Sequence, residues 1–265
     1  MKLKQIITVM EQIAPVELKE SFDNVGLMVG DKESDINKVL IALDCTLEVI
    51  DEAKNIGADL ILTHHPLLFR KPSTITTDTL LGKKIIELIK NDINLYSAHT
   101  NWDSVENGLN DTIVRLLGFK SGELIEPSKS KNYENSGIGR IININEELSL
   151  ELLINKIKSS LNIENLRYVG ELHNKIKKIA IINGSGQDFF EKARDLGADC
   201  VITGDTTYHY VSDYKEMGMC IIDIGHFESE WQTLITVSEG LKNKLKLDDV
   251  DFVISKVSKD PYKFL

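Results

Sequence analysis

Short apolar runs alternate with stretches of helical spacing along most of the chain. Val39–Leu43 is continuously apolar and reads as a buried strand, and Leu60–Thr63 as another. Between them Leu47–Asn55 has the mixed apolar and charged spacing of a helix. Thr79–Lys90 puts Leu80, Ile85, Ile86 and Ile89 on an apolar side, Ile93–Ala98 is strand-like, and Gly108–Leu117 is helical with Gly118 at its C-terminal stop. Met1–Pro15 is broken by Lys4, Gln5, Glu11 and Gln12 and predicts an amphipathic helix rather than a leader. Lys120–Asn135, rich in Ser, Lys, Asn and Glu, predicts a connection with strand edges. A strand at Gly139–Asn145, a helix at Leu148–Ser159 and a strand at Leu166–Gly170 follow. The alternation implies an α/β protein whose parallel or mixed sheet is covered by helices.

The second half repeats the first. Lys38-Val-Leu-Ile-Ala-Leu-Asp44 matches Lys178-Ile-Ala-Ile-Ile-Asn-Gly184. Ala53-Lys-Asn-Ile-Gly-Ala-Asp-Leu-Ile-Leu-Thr63 matches Ala193-Arg-Asp-Leu-Gly-Ala-Asp-Cys-Val-Ile-Thr203 without a gap. Gly-Ala-Asp between helix and strand is common in α/β proteins, but here strand, helix and strand share one register, which points to an internal structural repeat. Polar clusters follow both copies: His64, His65 and Pro66 after Thr63, and Gly204, Asp205 and then His209 after Thr203. In open α/β sheets ligands sit outside the carboxyl ends of strands.

Three strand ends carry metal-ligand chemistry. His64 and His65 are adjacent, so in extended backbone they would point to opposite faces. They can share a site if the chain turns after Thr63, as Pro66 favours, or each can serve a different ion; a structural role fits the pair alone equally well. In His99-Thr-Asn-Trp-Asp103, Asp103 can ligate a cation and His99 can ligate or orient; Asp103 alone also suits an N-cap or Asx turn before a helix at Asn107. After an apolar Met219–Ile224 strand, His226 and Glu230 stand at i and i+4, on one face if a helix begins there; a capping role is the alternative. Together, imidazoles and carboxylates brought to one sheet edge suit two divalent ions such as Zn, Fe, Mn, Ni or Co.

The 31 Lys and Arg against 41 Asp and Glu give a formal net charge of -10, which argues against general nucleic-acid binding. Cys45, Cys200 and Cys220 form no CxxC pair and suit reduced, buried thiols in the cytoplasm. No stretch approaches the length of a membrane span.

The segments Phe22-Asp-Asn-Val-Gly-Leu-Met-Val-Gly30, Ala42-Leu-Asp-Cys-Thr46, Leu62-Thr-His-His-Pro66, His99-Thr-Asn-Trp-Asp103, Thr203-Gly-Asp205 with His209, and Gly225-His-Phe-Glu-Ser-Glu230 resemble, in this order, the Nif-three-like family, also called GTP cyclohydrolase I type 2 homologues. Phe22 stands where the family usually has Trp. The resemblance implies metal ligands at His64, His65, Asp103, His226 and Glu230, with Glu230 as bridge, and Asp205 and His209 beside them. It implies two interleaved α/β lobes, about 1–120 with 226–265 and about 121–225, and metals in the cleft between them. A homohexamer built as a ring of dimers is implied too, without the regulatory domain that some relatives insert near Lys120–Asn135. Asp23 and Asn24 either line the substrate cleft or form a structural turn.

The leading functional expectation is a dinuclear metal-dependent hydrolase, with His209, Asp205 or His99 handling protons. The family name suggests a purine nucleotide, although no P-loop is present. A non-catalytic metal-storage or delivery protein, or a protein-interaction adaptor, predicts the same ligands.

Overall fold

The apolar runs become strands because Val, Ile and Leu cover both of their faces, the pattern of strands enclosed by helices. A computed structural model describes residues 1–120, 122–245 and 250–265. Its strands are β1 (Gly26–Val29), β2 (Lys38–Ala42), β3 (Leu60–Thr63), β4 (Asn94–Ser97), β5 (Glu123–Pro127), β6 (Gly137–Ser149), β7 (Arg167–Val169), β8 (Lys175–Ile181), β9 (Cys200–Thr203), β10 (Cys220–Asp223) and β11 (Asp251–Ile254). The helices are α1 (Leu3–Ile13), α2 (Leu47–Ile56), α3 (Leu80–Lys90), α4 (Thr100–Ser104), α5 (Leu109–Leu116), α6 (Leu150–Leu161), α7 (Phe190–Asp195), α8 (Tyr208–Glu216) and α9 (His226–Leu245). The chain divides into two compact units, Met1–Trp102 with Leu234–Lys259, and Asp103–Thr233 with Asp260–Leu265.

The first unit carries a five-stranded sheet in the order β1-β4-β3-β2-β11. β11, β2, β3 and β4 run parallel, and β1 closes one edge antiparallel to β4. Val49, Ile50 and Ala53 of α2 and Leu88 of α3 pack in one cluster with Leu40, Ile61 and Leu95. Thr46 and Thr79 cap these helices by accepting the Val49 and Gly82 amides at 3.1 and 3.0 Å. α1 buries Leu3, Ile6, Ile7 and Met10, one stripe of an amphipathic helix.

The second unit carries a six-stranded sheet in the order β5-β6-β8-β9-β10-β7. β8, β9 and β10 are parallel, while β5, β6 and β7 pair antiparallel with their neighbours. Leu150, Leu153 and Ile157 of α6 pack with Ile179, Ile181, Ile202 and Ile222. Phe190 and Ala193 of α7 pack with the alternate positions Ala180, Val201 and Ile221. The fold is therefore mixed α/β, with two mixed sheets covered by helices.

The repeat is real down to single hydrogen bonds. β2 and β3 pair in parallel through α2, and β8 and β9 through α7. Gly57 (φ 65°) and Gly197 (φ 83°) both sit in the left-handed turn that ends the helix. The Asp59 carboxylate accepts the amides of Asn37 and Lys38; that of Asp199 accepts those of Lys177 and Lys178. The Lys38 and Lys178 ammonium groups donate to the last carbonyls of the two helices, those of Ile56 and Leu196.

Boundaries differ from expectation in the middle of the chain. β6 extends to Ser149, because Leu148 and Ser149 pair with Ile176 and Lys175 of β8, so α6 begins at Leu150, two residues later than the apolar spacing predicts. Ser149 caps it by accepting the Leu152 amide at 3.2 Å. The polar connection holds a true strand, β5, and the helix expected from Gly108 begins at Leu109. The three cysteines are free and buried.

Candidate metal centre

In the first unit β3 ends at Thr63, and the backbone turns at once. The His65 amide donates to Leu43 O at 3.0 Å, and the Thr63 hydroxyl donates to His65 O at 2.9 Å. That turn removes the opposition of neighbouring side chains. The rings of His64 and His65 lie with centroids 5.2 Å apart, and His99, just beyond β4, joins them at 5.1 and 5.6 Å. One ligand nitrogen from each of the three lies within 4.8 Å of the others. The backbone thus leaves the regular strand after Thr63, the turn that Pro66 favours.

Each imidazole is held at Nδ1 by an oxygen. His64 Nδ1 donates to Ala98 O, His65 Nδ1 to Asp44 Oδ1 and His99 Nδ1 to Asp23 Oδ1, all at 2.9 Å. A carbonyl or a carboxylate can only accept, so each ring carries a proton on Nδ1, and Nε2 is the nitrogen that could take a metal. Asp23 is buried, and burial raises its carboxyl pKa. The hydrogen bond and positive charge of His99, with bonds from Thr100 and the Asn24 amide, outweigh that and hold it lowered, at about 2. Asp23 is thus committed to His99 and Thr100. Asn24 donates from Nδ2 to Leu68 O at 2.7 Å, bracing the loop beside the histidines.

In the second unit α9 begins at His226, directly after β10 and the left-handed Gly225 (φ 90°). The helix sets His226 Nε2 3.0 Å from Glu230 Oε2, one turn on. His226 Nδ1 is held by Asp205 Oδ2 at 2.7 Å, repeating the arrangement of the other three histidines. Glu230 is buried, and the loop after β8 is shaped around it. Gly184 adopts φ +60°, and a Cβ there would stand 2.3 Å from Glu230 Oε1 and 3.6 Å from His226 Cε1. The Gly184 amide donates to Ser229 Oγ at 3.0 Å and its carbonyl accepts the Gly204 amide at 2.8 Å.

Asp103 is buried within α4, and the chain does not use it as an N-cap: the Asn107 amide goes to Asp111 Oδ2 instead, and Gly108 caps α5. Asn110 ties this segment to the Gly184 loop, donating to Asp103 O at 3.2 Å and accepting the Asn183 amide at 3.1 Å. His209 is exposed on α8, edge-on to Tyr208 with centroids 5.4 Å apart. Sequence reasoning missed Asp44, Gly184 and Asn110. Asp44 had a visible signal, since it follows the apolar run Val39–Leu43 as His64 follows β3.

Each set by itself suits a borderline divalent cation: imidazoles fixed at Nδ1 by oxygen acceptors in the first unit, and an imidazole beside a buried carboxylate in the second. The family model of Duf34/NIF3 (NGG1p interacting factor 3) matches residues 1–261. The chain belongs to the Duf34/NIF3 family. Along its whole length this Duf34/NIF3 chain is 66% identical to the GTP cyclohydrolase 1 type 2 homolog of Clostridium perfringens, covering 100% of both. It is 50% identical to the homolog of Clostridium acetobutylicum, covering 100% of this chain and 99% of that one. Among solved structures, a Bacillus cereus protein related to NIF3 superposes with a TM-score of 0.91 at 27% identity over 100% and 99% of the two chains. Reduced HcgD from Methanocaldococcus jannaschii superposes with a TM-score of 0.83 at 33% identity, over 97% and 98%.

Proposed function

We propose that this Duf34/NIF3 protein holds two divalent metal ions through His64, His65, Asp103, His226 and Glu230, and acts as a metal-dependent hydrolase on a nucleotide-like or other small substrate. The observation that carries the reading is the shared treatment of four histidines. Each has Nδ1 fixed by an oxygen acceptor, from Ala98, Asp44, Asp23 or Asp205. Metal-ligating histidines almost always have that arrangement. Of the proposed ligands, His64 and His65 belong to the first unit and Asp103, His226 and Glu230 to the second.

Bound ions would supply Lewis acidity and an activated water. Glu230 would be the carboxylate ligand that serves as their bridge. Asp205 keeps His226 in the ligating tautomer, and Asp23 does the same for His99, which either ligates or holds a proton. Asp205 and His209 are the remaining acid–base groups of this reading. The relatives' name, GTP cyclohydrolase 1 type 2 homolog, makes a purine nucleotide the first substrate to try. We place the protein in the cytoplasm, without a nucleic-acid partner; no helix among the described residues is long and apolar enough to cross a membrane.

Elemental analysis of the purified protein, beside hydrolysis assays on nucleotide and phosphoester panels, tests the proposal. We expect about two metal equivalents per chain and metal-dependent turnover. In a folded His226→Ala variant both should fall, turnover by at least about a hundredfold. Full metal loading with no turnover on any panel would replace hydrolysis by storage, delivery or an adaptor role, for which the same ligands serve.

A further inference from the structure

Helix α8 packs poorly for its position. It lies over the β10–β7 edge of the second sheet, yet none of its nine residues is fully buried. The reason is in its sequence. Positions 208, 211, 212 and 215 form one helical face, and they are Tyr, Val, Ser and Lys. Only Val211 is an ordinary core side chain. The face therefore does not close on the sheet, and it leaves a cavity of about 380 Å³. That volume is in the range of small-ligand sites.

The cavity has an apolar floor and a cationic rim. The register of β10 on β7 sets Ile221 beside Val169 and Asp223 beside Arg167, so all four reach the cavity at one sheet edge. The Asp223 carboxylate is already engaged: it accepts from Arg167, from the Thr206 hydroxyl and from the Gly225 amide. Arg167 keeps the rest of its guanidinium for another acceptor, its side chain being 70% exposed. Lys215, one further cation on the α8 face, pairs with no acidic side chain among the described residues. Hydroxyls of Thr206, Thr207 and Ser212 also line the space, and the Tyr208 ring, 79% exposed, stands at the first turn of α8. Two cations against one satisfied carboxylate leave a net positive site in a chain of net charge -10.

We propose that this cavity between α8 and the β7–β10 edge binds a small organic anion with a planar ring, of the size and charge of a nucleoside monophosphate. The ring lies on the apolar floor against Tyr208. The phosphate oxygens take charge-assisted bonds from Arg167 and Lys215 and bonds from the threonine and serine hydroxyls. Thr206 is the neighbour of Asp205, the carboxylate that holds His226, so the ligand would sit one residue from the proposed metal centre without being part of it.

Titration calorimetry on the full chain stripped of metal with EDTA tests this with AMP, adenosine and inorganic phosphate as separate probes. AMP should bind, and each half-probe should bind at least about tenfold more weakly. Lys215→Ala and Tyr208→Ala change exposed side chains and should fold normally. Each should weaken AMP binding by about tenfold, and raised salt should weaken it in the parent but little in Lys215→Ala. The proposal fails if AMP shows no binding, if phosphate alone matches AMP, if adenosine alone matches AMP, or if neither variant changes the affinity. Because metal is absent throughout, loss of the hydrolase reading would leave this result untouched.

Discussion

Asp23 shows how much one side chain decides at this site. It was expected as a substrate-cleft or turn residue, and its carboxylate turns inward to His99 and Thr100. Its folded pKa, about 2, lies below the ordinary 3.8. A lowered acid stabilises the fold above the unfolded value, and that stability is lost as pH falls through the folded value. Urea unfolding should therefore lose roughly 2 kcal/mol between about pH 4 and pH 2 from this group. Asp23→Asn should remove that part of the slope; an unchanged acid slope in the variant would show that Asp23 does not carry it. The sequence could not reveal these pairings. Adjacent histidines after an apolar run stand out by eye, but the oxygens that fix them lie 34 positions away for His64, 21 for His65 and 76 for His99. Only the folded backbone brings such groups together.

At the scale of elements, strands and helices were legible where periodicity was clean. β3 has the bounds its apolar run suggests, and Thr46 and Thr79 begin α2 and α3 as caps. The β6–α6 boundary was not legible, because Leu148 suits a helix stripe and a strand face equally, and the pairing partner Ile176 decides it. The loop after β8 was also opaque: nothing in Asn183-Gly-Ser-Gly186 announces that Gly184 makes room for Glu230. Gly184→Ala tests that reading. The new Cβ would overlap Glu230 Oε1 at 2.3 Å in a backbone conformation that disfavours side chains, so either the loop or the carboxylate must move. We expect metal affinity to fall by about tenfold or more while the fold, followed by circular dichroism, persists. Parent-like affinity in that variant would show that Glu230 does not need its present place.

On the scale of the whole molecule, the alternation of strands and helices gave a parallel or mixed sheet covered by helices, the repeat gave related βαβ units, and two lobes came from the family resemblance; the structure has two mixed sheets. Assembly is a separate matter. We propose a ring-shaped hexamer built from dimers, on the strength of the family resemblance. Light scattering coupled to size exclusion should then return six times the 29.8 kDa chain mass. A monomer or dimer at micromolar concentration would refute it. The Gly-Ala-Asp clip that closes each βαβ copy has a wider consequence. In each copy an aspartate, a lysine and a left-handed glycine fasten helix to strand. The side chains that follow Thr63 and Thr203 can therefore differ between the copies without touching these side-chain bonds. Paired imidazoles follow one copy and a glycine and an aspartate the other, so one repeated scaffold carries two different sets of side chains at equivalent strand ends.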